Sequence, residues 1–197
     1  ATIMHIDADP AEINKNITVN YPFSGNIEQV LRGILKRIKP VDETEWAKCV
    51  KSWMKEYENN NINNGKLTPK FIIEKFSEMT DGNAIITTEV GQNQIWAAQY
   101  YKFKKPRQYI SSGGLGTMGY GTGAAIGVQI GLPDKKVINI AGDGSFRMNC
   151  NELATAVHYK LPIIIAVLNN GTLGMVRQWQ TMFYEKRYSQ TTLDRGP

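Results

Sequence analysis

The sequence has 197 residues, of which 42% are hydrophobic and 21% charged, with a net charge of +5 at pH 7. This length suits one domain of good size or one domain with part of another, and the composition excludes a disordered chain. The basic residues are scattered and the longest apolar run is 161–168, so neither a nucleic-acid-binding arm nor a membrane span is predicted.

The first part of the chain carries short patterns that end in an asparagine-rich segment. Residue spacing predicts one strand and two helices, at 2–6, 26–38 and 43–57. Asn26 is the expected N-cap of the first helix. The segment 59–65 predicts a loop, because asparagine bonds to nearby backbone and tolerates left-handed dihedrals.

After this loop, apolar strands alternate with helical patterns. Strands are predicted at 84–88, 108–110, 136–141 and 163–168. Helices are predicted at 68–79, 92–101, 120–130, 151–158 and 172–183. The alternation is typical of an α/β fold in three layers, with a parallel sheet covered by helices on both faces. Ligands of such folds bind beyond the carboxyl ends of the strands.

Two of these strand ends carry polar residues that suit a metal ion and a phosphate. The strand at 136–141 runs into Gly142-Asp143-Gly144-Ser145, and the next runs into Asn169-Asn170-Gly171. A normal crossover would bring both to one sheet edge. One carboxylate with one amide oxygen suits Mg²⁺ that also binds phosphate oxygens, and flanking glycines allow close approach to the backbone. A magnesium–diphosphate site is therefore predicted, although Gly-Asp-Gly also occurs as an ordinary turn.

The glycine-rich segment 111–123 must also pass close to another group. It could be the phosphate loop of a nicotinamide dinucleotide site, since Gly121-Thr122-Gly123 precedes a helix. That motif needs an acidic residue at the end of the next strand, where Ala141 stands instead. The dinucleotide interpretation is therefore not favoured.

Taken together, these motifs resemble those of a known enzyme family. Gly142-Asp143-Gly144, 24 residues and then Asn169-Asn170 resemble the thiamine-diphosphate motif. The strings 112–120 and 174–180 resemble the catalytic subunit of the acetohydroxyacid (acetolactate) synthases, and the resemblance covers nearly the whole chain. By this resemblance, the sequence divides into the end of a central FAD-binding domain, a helical linker and a C-terminally incomplete thiamine-diphosphate domain, at 1–40, 41–65 and 66–197.

The resemblance implies a role for particular residues. Mg²⁺ would be held by Asp143, the side chain of Asn170 and the carbonyl of Thr172. Further contacts to thiamine diphosphate are expected from Val90, Gly91, Gln92, Asn93, Gly142, Gly144, Ser145, Gly174 and Met175. Gly116 and Met118 would receive the aminopyrimidine and hold the cofactor in the bent, self-activating shape that catalysis needs.

Other residues are assigned to the substrate and to a second cofactor. Met175 and Trp179 would face the substrate, and Trp179 would favour a larger second ketoacid. Asp7 and Ala8 would contact FAD, which has no redox role in the main reaction of this family. Two positions depart from the family pattern: Asn93 replaces a usual histidine, and Thr122-Gly123 replaces a usual Leu-Pro.

The implied reaction is decarboxylation of pyruvate and carboligation to a second 2-ketoacid, in branched-chain amino acid biosynthesis. Two alternatives stay open: another thiamine-diphosphate decarboxylase or carboligase, and a non-catalytic cofactor-binding module. In this family the activating glutamate belongs to the N-terminal domain and is supplied across a dimer interface. This segment alone is therefore expected to be inactive.

The expected setting follows from the same resemblance and from the cysteines. A homodimer or homotetramer is expected, with a small regulatory subunit as a further partner and no nucleic-acid or membrane partner. Cys49 and Cys150, the two cysteines, indicate a reducing compartment such as the cytoplasm rather than a disulfide scaffold. The chain starts in a strand-like pattern and ends at 195–197 without a closing element, so a piece of a longer protein is expected.

Overall fold

The computed structural model describes residues 1–60 and 66–193. The chain divides into two compact units, Ala1–Ile62 and Asn63–Pro197. The predicted asparagine-rich loop at 59–65 falls mostly outside the described residues, and so does the chain end at 195–197. No helix in the described ranges is long and apolar enough to cross a membrane.

The first unit contains a small parallel sheet and two helices. Its elements are strands β1 (Met4–Asp7) and β2 (Tyr21–Ser24), which pair in parallel, and helices α1 (Ile27–Leu35) and α2 (Glu45–Asn60). As predicted, Asn26 caps α1 and its side chain accepts a hydrogen bond from the Gln29 N–H. The sequence did not predict β2, since it is short, fully exposed and contains Pro22.

The second unit is built on a four-stranded parallel sheet. The strands are β3 (Ile85–Thr88), β4 (Tyr109–Ile110), β5 (Val137–Gly142) and β6 (Ile164–Leu168), in the spatial order β4-β3-β5-β6. All three strand pairings are parallel, as predicted. The central strands β3 and β5 are buried along almost their whole length, which explains why neither contains a charged residue.

Six helices accompany this sheet in the described part of the unit. They are α3 (Pro69–Met79), α4 (Gln92–Tyr100), α5 (Tyr120–Gly131), α6 (Asp143–Arg147), α7 (Leu153–His158) and α8 (Gly174–Phe183). Helix α6 was not among the helices predicted from the sequence. Strand β5 passes directly into α6, so Asp143 is the first residue of a helix.

Helices cover both faces of the sheet. Alternate side chains of β5 point to opposite faces, so their contacts show which helices lie on each side. Ile138 and Ile140 belong to the main apolar cluster, which also contains Ile73 of α3 and Ala97 of α4. Between them Asn139 points the other way, toward α5. The three-layer α/β fold predicted from the sequence is thus confirmed.

Candidate cofactor site

A cavity of about 280 Å³ lies at the carboxyl ends of β3, β5 and β6. Its wall is formed by the segments that directly follow these strands, the glycine-rich loop and the start of α8. Most of the predicted site residues line it: Val90, Gly91, Gln92, Asn93, Gly116, Met118, Gly142, Asp143, Gly144, Ser145, Asn170, Thr172, Gly174 and Met175. The predicted sheet edge therefore does carry a ligand-sized cavity.

A few predicted residues lie elsewhere, and a few lining residues were missed. Asp7 and Ala8 belong to the first unit. Trp179 is not part of the cavity wall; it is half exposed on α8 and packs on Phe183, with ring centroids 5.1 Å apart. Four further lining residues belong to no motif, so no sequence signal marked them: Gln94, Trp96, Leu168 and Leu173. Val176 also lines the cavity and lies within the string 174–180, but the sequence analysis gave it no role.

Asp143 and Asn170 meet at the cavity as predicted, each in a defined hydrogen bond. Asp143 is only 6% exposed, and its Oδ2 accepts from the Gly171 N–H at 2.8 Å. The Asn170 Oδ1 accepts from the Thr172 N–H at 3.1 Å. The first bond joins the end of β5 to the segment after β6, and the second lies within that segment. They leave Asp143 Oδ1 and a second lone pair on the Asn170 oxygen for another partner.

Three helices begin at the wall of this cavity. The first residues of α4, α6 and α8 are Gln92, Asp143 and Gly174, and all three line the cavity. None of these helices has a side-chain N-cap hydrogen bond. Their first N–H groups and the positive ends of α4 and α8 can therefore bind an anion such as a diphosphate.

The charge of the lining fits a metal ion together with that anion. Among the described residues of the cavity wall, Asp143 is the only ionisable side chain. A carboxylate and a diphosphate would repel each other in one cavity unless a cation lay between them. Oxygen donors from a carboxylate and an amide suit Mg²⁺, which takes its remaining ligands from phosphate and water. The residues present thus fit a Mg²⁺–diphosphate group.

The glycine-rich loop forms the opposite part of the wall through Gly116 and Met118. Gly116 has φ +68°, a left-handed conformation that favours glycine. A Cβ at this position would meet only the Val90 side chain, at 3.9 Å. The backbone of the loop is therefore bare at Gly116 and open to a ligand, and the Met118 side chain beside it is half-buried.

Asn93 lines the cavity, but its amide donors bond to the protein backbone, whereas the predicted phosphate contact needs a free donor. Its amide Nδ2 donates to the carbonyl oxygens of Glu89 and Ile140, both at 2.9 Å. Both amide N–H groups are therefore used, and they join the end of β3 to the end of β5. The group that Asn93 has left for a ligand is an acceptor oxygen.

Comparison with known proteins agrees with this geometry. Residues 89–197 match the family described as thiamine pyrophosphate enzyme, C-terminal TPP binding domain. Over 205 aligned residues, the chain is 42% identical to the acetolactate synthase isozyme 3 large subunit of Escherichia coli, covering 100% of this chain and 36% of that protein. It is 46% identical over 200 residues to the acetolactate synthase large subunit of Corynebacterium glutamicum, covering 98% of this chain and 32% of that protein.

The chain thus spans about a third of the length of these relatives. The resemblance to acetolactate synthases noted in the sequence is confirmed by them. The family match covers more than half of the chain and contains the strand ends with Asp143 and Asn170 and the start of α8, which build the cavity. The chain therefore belongs to the thiamine pyrophosphate enzymes and carries their C-terminal, TPP-binding domain.

Proposed function

We propose that the protein containing this chain is an acetolactate synthase. It decarboxylates pyruvate and joins the remaining two-carbon unit to pyruvate or 2-ketobutyrate, a step of branched-chain amino acid biosynthesis. The observation that carries the proposal is the cavity in which Asp143, Asn170 and uncapped helix starts meet. It occurs in a chain whose relatives are named acetolactate synthases along its full length.

Mg²⁺ is the proposed metal, and its ligands are Asp143, the Asn170 side chain and the Thr172 carbonyl. The buried Asp143 side chain is already oriented by the Gly171 N–H, so it needs little reorganisation to bind a cation. The metal charge offsets that of the diphosphate. The N–H groups at the starts of α4 and α8 then bind the remaining phosphate oxygens.

Thiamine diphosphate is the proposed cofactor, and it supplies a carbon nucleophile and electron sink for 2-ketoacid chemistry. The backbone of Gly116 and Met118 would bind the aminopyrimidine, and the Met118 side chain would hold the cofactor in the shape that catalysis needs. Val90, Gly91 and Gln92 contact the diphosphate from the end of β3. The chain's own contribution is therefore orientation of the cofactor and placement of charge.

The substrate and assembly are proposed on the same grounds. Met175 contacts the substrate from the cavity wall, and Trp179, one turn further along α8, selects the acceptor ketoacid. Asp7 and Ala8 contribute to a non-redox FAD site. A homodimer or homotetramer in the cytoplasm is proposed as the working form, and the two free cysteines agree with a reducing compartment.

Product analysis of the intact protein tests this proposal. Pyruvate is supplied with and without thiamine diphosphate and Mg²⁺, and the products are identified by mass spectrometry. Acetolactate formed only when both are present is the expected result. Acetaldehyde instead would indicate a simple decarboxylase, and cofactor binding without release of CO₂ would indicate a binding module; either result contradicts the synthase assignment.

A further inference from the structure

Glu89 is a buried carboxylate that has no part in the cofactor contacts described above. It follows the last residue of β3, is 0% exposed and does not belong to the cavity wall. Burying a charged carboxylate is costly unless hydrogen bonds replace its hydration. Glu89 therefore needs a structural or functional reason for its place between the cavity and the sheet.

The carboxylate is fully engaged by donors from two different segments. Its Oε1 accepts from the N–H of Thr122 at 3.0 Å and from the Thr122 hydroxyl at 3.2 Å. Its Oε2 accepts from the Gly119 N–H and from the Ser145 hydroxyl, both at 2.8 Å. One side chain thus holds the start of α5 and the start of α6 at the same time.

At α5, Glu89 takes the place of a missing N-cap side chain. The N-cap residue is Gly119, which has no side chain to offer. The N–H groups that bond to Glu89 belong to Gly119 and to the third helical residue, Thr122, which are the groups a helix leaves unpaired. Glu89 also places a negative charge at the positive end of the helix.

The close approach of α5 to β3 makes this arrangement rigid. A Cβ at Gly121 would lie 2.7 Å from the Glu89 nitrogen and 2.5 Å from the Asn139 Oδ1. The first turn of α5 therefore packs directly on the end of β3. The loop residues just before this turn, including Met118, take their position from it.

We propose that Glu89 is a positioning residue that couples the two halves of the cofactor site. Through Gly119 and Thr122 it fixes the loop of Gly116 and Met118, and through Ser145 it fixes the segment of the metal ligand Asp143. This inference rests on the proposed thiamine-diphosphate function. It assigns to one buried carboxylate, together with the direct bond from the Gly119 N–H to the Ser145 hydroxyl at 3.1 Å, the distance between the pyrimidine-binding loop and the metal-binding segment.

The first test measures Glu89→Gln in the intact protein by calorimetry with two ligands at saturating Mg²⁺. Inorganic diphosphate probes the metal-binding segment alone, whereas thiamine diphosphate probes both halves. The variant keeps the size of the side chain but loses the charge and one acceptor oxygen. We expect thiamine diphosphate affinity to fall about tenfold or more, and by a larger factor than diphosphate affinity. Glu78→Gln, an exposed carboxylate of α3, is the control and should change neither affinity.

An equal loss of affinity for the two ligands, or no loss, would overturn the coupling role. A residue with only a structural role would lower the thermal midpoint of unfolding, but it would not change the two affinities by different factors. If the wild-type protein itself failed to bind thiamine diphosphate with Mg²⁺, the proposed function would fall as well. Wild-type binding with an unaffected Glu89→Gln variant would overturn this inference alone.

Milder variants decide the question if Glu89→Gln does not fold. Ser145→Ala and Thr122→Val each remove one hydroxyl, and these hydroxyls donate to different oxygens of Glu89. If Glu89 couples the segments, the double variant should depart from the product of the single effects on thiamine diphosphate affinity by about twofold or more. Effects that multiply within error would overturn the proposal.

Discussion

Asn93 occupies a place on the cavity wall where a side-chain donor could bind a phosphate, yet its donors are already engaged. The two N–H groups of its amide join Glu89 and Ile140 at the ends of neighbouring strands. Rotating the amide by 180° would turn its oxygen toward two carbonyl oxygens, which is unfavourable. At this position the side chain therefore stabilises the cavity wall rather than supplying charge to it.

We predict that Asn93→Ala lowers the free energy of unfolding by about 1–3 kcal/mol, because two main-chain carbonyls lose their partner. Thiamine diphosphate affinity should change by much less than the roughly tenfold loss expected for removal of a phosphate donor. Denaturant unfolding and calorimetry measure the two quantities. The exposed Asn151→Ala serves as the control. A large loss of affinity at unchanged stability would show that Asn93 donates to the ligand after all.

The difference between Asn93 and Asp143 shows what sequence can predict about single residues. Asp143 follows an apolar strand between two glycines, and this pattern places it at a strand end beside a ligand. The Asn93 position was also predicted, but its orientation depends on the Ile140 carbonyl, 47 residues away in sequence. Glu89 was missed for the same reason, since its partners Gly119 and Ser145 come from distant segments.

Among the elements, α5 is positioned by how closely it approaches the sheet. Gly121 faces the end of β3, where a Cβ would lie within 2.7 Å of the Thr88 carbonyl carbon and the Glu89 nitrogen. Gly123, two residues further along the same helix, has no heavy atom within 4 Å of a Cβ position. The two glycines therefore form a matched pair with opposite roles.

We predict that Gly121→Ala destabilises the protein by at least about 1–3 kcal/mol, because backbone atoms must move to admit the methyl group. Gly123→Ala should instead stabilise it by about 0.4–1 kcal/mol through helix propensity. Thermal and denaturant unfolding of the two variants measure the contrast. If both substitutions stabilised the protein, α5 would not pack on β3 as closely as described.

Elements with a strong repeating pattern were predicted well, and those without one were not. The strands β3 and β5 are buried and uncharged, and helices α1 and α3 begin at clear N-cap residues, Asn26 and Thr68. Helix α6 has five residues, and its sequence, Asp-Gly-Ser-Phe-Arg, has no apolar period. Its start is instead determined by tertiary contacts, including the bond from Ser145 to Glu89.

For the molecule as a whole, the charge of the cavity wall predicts that cofactor binding depends on a metal ion. The chain has a net charge of +5, yet the described residues of the cavity wall include no Lys or Arg and one acidic side chain, Asp143. The overall positive charge therefore does not by itself neutralise a diphosphate inside the cavity. On the proposed function, that task would fall to Mg²⁺ and to the helix N-termini, and of these only Mg²⁺ can be removed with a chelator.

We predict that thiamine diphosphate raises the thermal midpoint of the intact protein only when Mg²⁺ is present. A ligand at a hundred times its Kd stabilises the folded state by about 2.7 kcal/mol, which is several degrees for a domain of this size. Adding EDTA should remove that shift, and excess Mg²⁺ should restore it. Asp143→Ala should abolish the shift even at saturating Mg²⁺, while the exposed Asp134→Ala should retain it. An equal shift in EDTA would mean that the helix N-termini alone hold the diphosphate. Asp143 would then be a structural carboxylate that binds only the Gly171 N–H.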